Sequence, residues 1–554
     1  MDAVCELTAL ITQLREDLAF RRIDSGMQAL EQNRALLAAL NPTQENAAVL
    51  VGFVAQWVDI GFGSPELVRD LLRLFPKSCR ACLPLLDYLH LRMAEGLLAM
   101  AEEEFDQATA HLQFVQSVEE EIRDAELPAI ANFWIGRCLR KQGRYDDALT
   151  YTIKGKALAL DHGYAKMAAV MQVLESWLFF QKGKLKEAAA ILREAEAALS
   201  ETDDFIARGN IHSAYGRIAR RQSRYDRALE HFEHAIKEYK RRDPQHSNLA
   251  RVLVNTALVK RLSARQIEAS MDEDLARRRS GVLTEKNLEP SRGRRSQILR
   301  LRAEAAAQLS EALGIYEQHH NHRGIGSVYV NRGLLHADEG ELDEANAEGA
   351  AAFRHGEEKR DFILMARARM LQCLVENARL EEQIDEDAGR HSQMAHDFAR
   401  DAVEYAHQTQ NRRLLARALV WQGLTYCTDS PPNRDAARRC YDAVTALLRS
   451  AGQEYDWEDL ETLKTKVLQA GRVDAALQEW SEGQTGDKTF QQITEEFAAI
   501  VIPRVWEREG RKISRVASTL CISPKKVRRI LQAAGLVGAE RTDAVPHIST
   551  RRHK

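Results

Sequence analysis

Phe, Trp and Tyr make up only 6 % of this 554-residue chain, and proline occurs just 12 times. Ala, Leu, Glu and Arg fill the space instead. These side chains lose little rotamer freedom in a helix, and scarce proline permits many uninterrupted helices. The eight cysteines are scattered at 5, 79, 82, 138, 373, 427, 440 and 521. Only Cys79 and Cys82 form a CxxC, and no second pair stands at zinc spacing, so buried free thiols in a reducing compartment are expected. Long apolar runs are also lacking. The longest, near 47–58, is broken by Gly52 and Gln56 and falls short of the ~20 residues a spanning helix needs. Asp2 and Glu6 stand where a signal peptide would be basic and then apolar. A cytoplasmic protein that does not enter a membrane is expected.

Catalytic signatures are missing too. There is no Gly-x4-Gly-Lys-Ser/Thr phosphate loop, no Gly-x-Gly-x-x-Gly after a strand and no His-Glu-x-x-His. His231 and His234 lie one turn apart beside Glu230 and Glu233, and His319, His320 and His322 cluster similarly. With no further ligands identifiable, both groups read as surface histidines near helix ends. The expectation is a protein that is not an enzyme, with no catalytic residue, no cofactor and no metal.

What is present is length, apolar mass and charge asymmetry. Apolar residues are 45 % and charged residues 29 % of the chain, a globular composition long enough for several domains. Residues 504–554 carry 13 Lys/Arg against 4 Asp/Glu, while 1–503 carry 65 against 77. A basic end on an acidic body points to nucleic acid or membrane at that end.

The body repeats itself. Gly96, Glu103, Phe105 and Ala108 are followed 40 residues on by Gly136, Gly143, Tyr145 and Ala148. Then come Ser176, Gly183, Leu185 and Ala188, and then Gly216, Ser223, Tyr225 and Ala228. The second halves align as well, through Leu112, Thr152, Leu192 and Phe232, and through Val115, Gly155, Ala195 and Ala235. Each unit predicts a helical hairpin. The small residue and the later Ala let two helices approach closely, and Gly in the turn lets the first helix end with positive φ.

This pattern resembles the tetratricopeptide repeat, whose two helices read Trp-x2-Leu-Gly-x2-Tyr and Ala-x3-Phe-x2-Ala. The best copies are 213–235, with Tyr215-Gly216 and Ala228-x3-Phe232-x2-Ala235, and 419–426, with Gly423 in the Gly place. Tyr329-x2-Arg332-Gly333 opens another, continuing through Gly340, Leu342, Ala345 and Ala352. Two features depart from the family. The period is 40 rather than 34, as in the longer-helix versions of bacterial signalling regulators, and the Trp place holds Asn132 or His212. The resemblance implies an all-α, TPR-like α-solenoid superhelix over 45–485, with weaker copies at 51–75, 371–406 and 460–480. Amphipathic helices at 5–20 and 25–40 would cap it within 1–44. A stretch at about 265–300, with Arg277–Arg279 and Glu289-Pro290-Ser291-Arg292-Gly293-Arg294-Arg295, reads as an inserted, solvated basic loop.

Residues 511–536 carry a second pattern. Ala517 falls where a tight helix crossing admits only a small side chain, and Val516, Leu520, Ile522, Val527 and Ile530 fall at the core positions of a helix-turn-helix. Ser523 can cap the second helix, Pro524 suits its first turn, and Gly535 can end it. This resembles the Fis-type helix-turn-helix at the C-terminus of many bacterial transcription regulators, with 490–509 as the long preceding helix. Cys521 stands where that family has Gly, and must accept a left-handed turn or shift it. The resemblance implies a small DNA-binding domain over 488–538 with a basic tail at 539–554.

On the second helix Val527, Ile530, Leu531 and Ala534 share one face. Lys525, Arg529 and Gln532 lie opposite, flanked by Lys526 and Arg528. As a recognition helix it would place Lys525, Arg528 and Arg529 at base edges, with Gln532 suited to adenine. Arg511, Lys512, Arg515 and Lys526 are placed for phosphates, and Ser523 completes the DNA-binding set. The expected partners are double-stranded DNA and a peptide, protein or small ligand in the solenoid groove. A homodimer is expected from the half-site geometry of helix-turn-helix proteins. The function expected is a DNA-binding transcription regulator, found at the nucleoid when bound. The alternative is a scaffold or adaptor working mainly through protein–protein contacts.

Overall fold

The computed structural model describes residues 2–118, 126–279, 291–382, 387–429, 432–450, 458–469, 488–533 and 536–537. Every regular element among them is an α-helix. Contacts divide the chain into two compact units, Met1–Ser270 with Glu289–Val467, and Met271–Leu288 with Leu468–Lys554. Among the described residues no helix is long and apolar enough to cross a membrane.

The first unit is a stack of helical hairpins. It opens with α1 (Asp2–Phe20), α2 (Ile23–Gln32), α3 (Arg34–Ala38), α4 (Ala47–Ile60), α5 (Pro65–Arg73) and α6 (Lys77–Arg80). Four hairpins follow: α7 (Leu85–Ala101) with α8 (Phe105–Ser117), α9 (Glu126–Lys141) with α10 (Tyr145–Asp161), α11 (Ala165–Gln181) with α12 (Leu185–Leu199), and α13 (Phe205–Arg221) with α14 (Tyr225–Arg242). Beyond them lie α15 (Ser247–Arg279), α16 (Ser291–Gln318), α17 (His322–Glu339), α18 (Leu342–Glu358), α19 (Phe362–Glu382), α20 (Ala388–His407), α21 (Arg412–Thr428), α22 (Arg434–Ser450) and α23 (Glu458–Gln469).

The 40-residue register of the sequence is the register of the hairpins. Their second helices begin at Phe105, Tyr145, Leu185 and Tyr225. Each preceding turn has one residue at positive φ: Glu103 at 61°, Gly143 at 82°, Gly183 at 81° and Ser223 at 55°. The N–H groups of Glu104, Arg144, Lys184 and Arg224 then reach back to the carbonyls of Ala99, Leu139, Phe179 and Ala219 at 2.9–3.0 Å. This is the left-handed helix ending that satisfies an orphan carbonyl. Ala108, Ala148, Ala188 and Ala228 are fully buried, as are Leu112, Thr152, Leu192 and Phe232. At Gly216 a Cβ would stand 2.4 Å from the Phe232 ring, so only glycine fits. In the same place Ser176 is tolerated because its hydroxyl donates to the Ala188 carbonyl at 2.9 Å.

Two expectations change. Within the stretch at 265–300, residues 280–290 lie outside the described residues. Residues 265–279 belong to α15 and 291–300 to α16, helix where a loop is expected. Ala, Arg, Glu and Gln are good helix formers, and Lys260–Glu304 at 2.8 Å and Arg302–Glu268 at 2.7 Å tie the two helices together. The N-terminal helix does not simply cap the stack. It packs on both α4 and α11, Arg21 pairs with Asp204 at 2.6 Å, and Asp203 accepts from the Ile23 and Asp24 N–H groups.

The stack also closes on itself. The Gln410 N–H donates to the Gly143 carbonyl at 3.1 Å, and the Gln410 amide donates to Asp147 at 3.0 Å. Asn411 donates to the Tyr145 hydroxyl at 3.2 Å, and Lys359 reaches Glu104 at 2.9 Å. The turns of the early hairpins therefore rest on those of the late ones, enclosing the inner wall made by the first helix of each pair.

In the second unit, beyond the end of α15, the described helices are α24 (Phe490–Arg508), α25 (Ile513–Thr519) and α26 (Pro524–Ala533). They share one core of Ile502, Val505, Trp506, Val516, Ala517, Val527, Ile530 and Leu531. Leu520 and Ile522, expected inside, are only partly buried at its edge.

Candidate functional site

Two surfaces concentrate charge. The first is on the C-terminal helices. The α25–α26 turn is held by the Leu520 N–H on the Val516 carbonyl at 2.9 Å and the Ile522 N–H on the Ala517 carbonyl at 3.1 Å. Between them Cys521 accepts the left-handed conformation, at φ 51°. Ser523 caps α26: its hydroxyl accepts from the Lys526 N–H at 3.2 Å, and Pro524 follows it into the first turn.

With Val527, Ile530 and Leu531 buried, the opposite side of α26 turns outward. Lys525, Lys526, Arg528 and Arg529 are exposed, and Gln532 is partly so. Lys512 and Arg515, beside and in the first turn of α25, are exposed as well. Arg511 is exposed and stands over the Trp506 ring, 5.6 Å from its centre. Ser523 is exposed, and the bond it makes is the cap. Eight of the nine expected residues are thus exposed, with Gln532 partly so. Ala534, Gly535 and the tail at 539–554 lie outside the described residues.

The second surface is a cavity of about 270 Å³ in the first unit. Ile130, Trp134, Met167, Met171, Leu174 and Trp177 give it an apolar floor, and Leu18 of α1 with Arg21 just beyond that helix close one side. Asn210 and Asn248 offer amides, and Arg137, Arg140, Arg217 and Arg251 line it together with Asp59, Asp204 and His246. Arg137 is neutralised by Asp59 at 2.8 Å and lies 4.2 Å from the centre of the Trp134 ring. None of these residues was singled out from the sequence, although a signal was there. Arg137 and Arg217 follow the small residue of the repeat by one position, and Arg140 and Arg220 follow it by four, in the same 40-residue register.

The histidines fall into other places. His212 stacks on His234 with centres 5.3 Å apart, and His231 stacks on Tyr215 at 5.2 Å. His319 bonds the Gln245 carbonyl at 2.7 Å, while His322 stands near His355 and Glu358.

No family model matches the chain, and no curated protein matches it. Solved structures do. The crystal structure of a Rap protein complexed with competence and sporulation factor covers 73 % of this chain and 99 % of its own, at 10 % identity and a TM-score of 0.50. The apo form of the quorum sensor NprR from B. thuringiensis covers 71 % and 98 %, at 12 % identity and 0.46. A monomeric mutant of IFIT1 with Gppp-AAAA covers 84 % and 95 %, at 12 % identity and 0.44. At such identity the likeness to the Rap protein speaks for fold alone, and the fold is that of a TPR-like helical solenoid.

Proposed function

We propose that this protein is a cytoplasmic, non-enzymatic transcription regulator. Its Fis-type helix-turn-helix (domain 488–538) binds operator DNA, and its solenoid groove binds the peptide, protein or small ligand that controls it. The observation that carries the reading is the build of α26: a capped helix with an apolar inner face, set behind a short turned helix, presenting Lys525, Arg528, Arg529 and Gln532 together. Arg and Lys at such positions reach guanine O6 and N7, and Gln reaches adenine. Lys512, Arg515 and Lys526 meet phosphates, which position the helix without specifying sequence. Support for a ligand in the groove comes from the cavity itself and from the fold shared with a Rap protein solved with competence and sporulation factor.

A homodimer fits the same picture, since such proteins read half-sites ~34–36 Å apart. Phe490 and Phe497, seven residues apart on α24, are both exposed and flank Ile493, so an apolar stripe is on offer to a second copy. Control then consists of a ligand that binds two states of the dimer with different affinity.

Selection of binding sites from a random DNA library by the full chain tests the reading. One enriched motif is expected, with Arg529→Ala relaxing one base of it. Selection that yields no motif, with binding governed by salt alone, leaves a scaffold merely attached to the nucleoid and sinks the regulator reading.

A further inference from the structure

The first unit is acidic as a whole, yet its inner wall is cationic. Arg140 and Lys141 on α9, Arg217 and Arg220 on α13, Arg251 on α15 and Arg367 on α19 are all partly buried. Elsewhere in the unit such arginines have carboxylates: Arg208 has Glu238 at 3.1 Å, Arg332 has Glu348 at 3.0 Å and Arg379 has Glu376 at 2.9 Å. Among the described residues no carboxylate pairs with any of the six. They lean on neutral groups instead. Arg220 donates to the Asn255 carbonyl oxygen at 3.0 Å, Arg251 to that of Asn210 at 2.6 Å, and Arg367 to the Ser327 hydroxyl at 3.3 Å. The Arg140 guanidinium lies 5.1 Å from the centre of the Trp177 ring. The Nε–H groups of Arg140 and Arg251 are buried with no hydrogen bond.

These cations also feel one another. Burial first, and then the charges of Arg251, Arg137 and Arg217, push Arg140 well below its ordinary value. Burial and Arg251 bring Arg217 down to about 9. Burial, Arg417 and Arg367 bring Arg220 down to about 10. Arg217 and Arg220 remain charged at neutral pH. A partly buried cation without a counter-charge costs stability, and several side by side cost more. An arrangement of this kind is relieved by an anion that enters from outside.

We propose that the inner wall is the binding site of a short acidic peptide. Its carboxylates pair with Arg140, Arg217, Arg220 and Arg251, and one apolar side chain sits against Trp134, Met171 and Trp177. The planar fork of arginine matches a carboxylate with two parallel hydrogen bonds. The methionines give the floor a pliable surface suited to an aliphatic or aromatic side chain. Asn248 carries both donors and an acceptor, and Asn210, whose oxygen already accepts from Arg251 and Tyr239, offers its amide N–H groups to the C=O groups of a peptide backbone. A cavity of about 270 Å³ holds one or two side chains, which suits a short peptide better than the stacked bases of a nucleic acid.

The proposal rests on the reading that the groove takes the controlling ligand, and it stands or falls separately from DNA binding. The immobilised full chain is incubated with an equimolar random pentapeptide library and, in a separate arm, with a random RNA octamer pool. Retained species are sequenced by mass spectrometry and by reverse transcription. Peptides rich in Asp and Glu are expected to be enriched at least about tenfold over those with Asn and Gln in the same places. The R140Q/R220Q variant should lose that enrichment, with helicity and DNA-site selection intact. If this double variant melts early, Arg367→Gln serves the same comparison. No enrichment, equal enrichment of amides, retention by the variants, or capture of RNA in place of peptide each overturns the proposal. Failure of the DNA selection with the same preparation concerns α26 alone.

Discussion

On α26 the basic side chains stand out from a helix ten residues long, whereas the cations of the solenoid wall come from four helices between residues 140 and 367. The first group is exposed and costs the fold almost nothing, because water solvates each charge. The second is hemmed in by protein and repels itself, so the packed repeats must hold it in place. Exposed cations suit an extended polyanion approached from solvent. Confined ones suit a small anion that replaces their missing counter-charges.

That contrast breaks most visibly on DNA. Lys525→Ala with Arg529→Ala should remove about 2–6 kcal/mol of sequence-specific binding, at about 1–3 kcal/mol for each base contact. A gel-shift titration reads this as a loss of about 30-fold or more. Peptide enrichment by the same double variant should stay at the wild-type level. Equal loss of both activities would mean that the two surfaces are not separate sites.

A smaller effect separates the folds. Gly216→Ala would set a methyl group 2.4 Å from the Phe232 ring. Overpacking of this kind costs about 1–3 kcal/mol. The main thermal transition should move down and acidic-peptide capture should weaken, while the motif selected from random DNA is unchanged. An unaltered melting curve would show that the crossing of α13 and α14 can open freely.

The different legibility of the two surfaces has the same root. Core, cap and basic face of α26 follow one another within a single helix, so Ser523, Pro524, Val527 and Arg529 can be placed by counting. The repeat was equally plain, because Gly136, Ser176 and Gly216 fix each hairpin crossing locally. The wall was hidden because Arg140 meets Arg251, and Arg220 meets Arg367, only once the superhelix has turned. The contact of Gln410 with Gly143 that closes the turn has no local signal at all. Residues 265–279 and 291–300 read as loop for the opposite reason: a charge run looks like a loop when its helix-forming composition is given less weight than its polarity. Leu520 and Ile522 were placed inside by a motif that says nothing of how deep a turn sits.

The strained turn offers a finer measure of the C-terminal unit. Cys521 at φ 51° carries the left-handed penalty of roughly 1–2 kcal/mol that glycine escapes. Glycine gives part of this back through the greater freedom of its unfolded chain. Cys521→Gly should therefore stabilise α25 and α26 by about 0.5–1 kcal/mol, seen as amide exchange slowed about two- to fivefold over 513–533. Exchange in the repeats should not change. Faster exchange at 513–533 would mean that the cysteine side chain contributes more than its backbone costs.

The smallest effect lies in the wall's one lysine. Burial, then Arg323 and Arg140, bring Lys141 down to about 7, with Glu103 opposing and Arg251 adding to them. Its ordinary value is 10.5, so the unfolded chain holds this proton more tightly than the folded one. Below pH 7 both states carry the charge and the folded state bears the whole penalty. Between pH 7 and about 10 the folded state sheds the proton and the penalty fades. Lys141→Met removes the charge at every pH. It should raise the melting temperature by about 1–3 °C at pH 6, with the gain shrinking as the pH rises towards 9. Loss of this one charge should also make wild-type capture of acidic peptides weaker at pH 8 than at pH 6, and the variant flatter across that range. A gain in stability that is the same at pH 6 and pH 9 would show that the methionine merely packs better. Lys141 would then not be the titrating member of the wall.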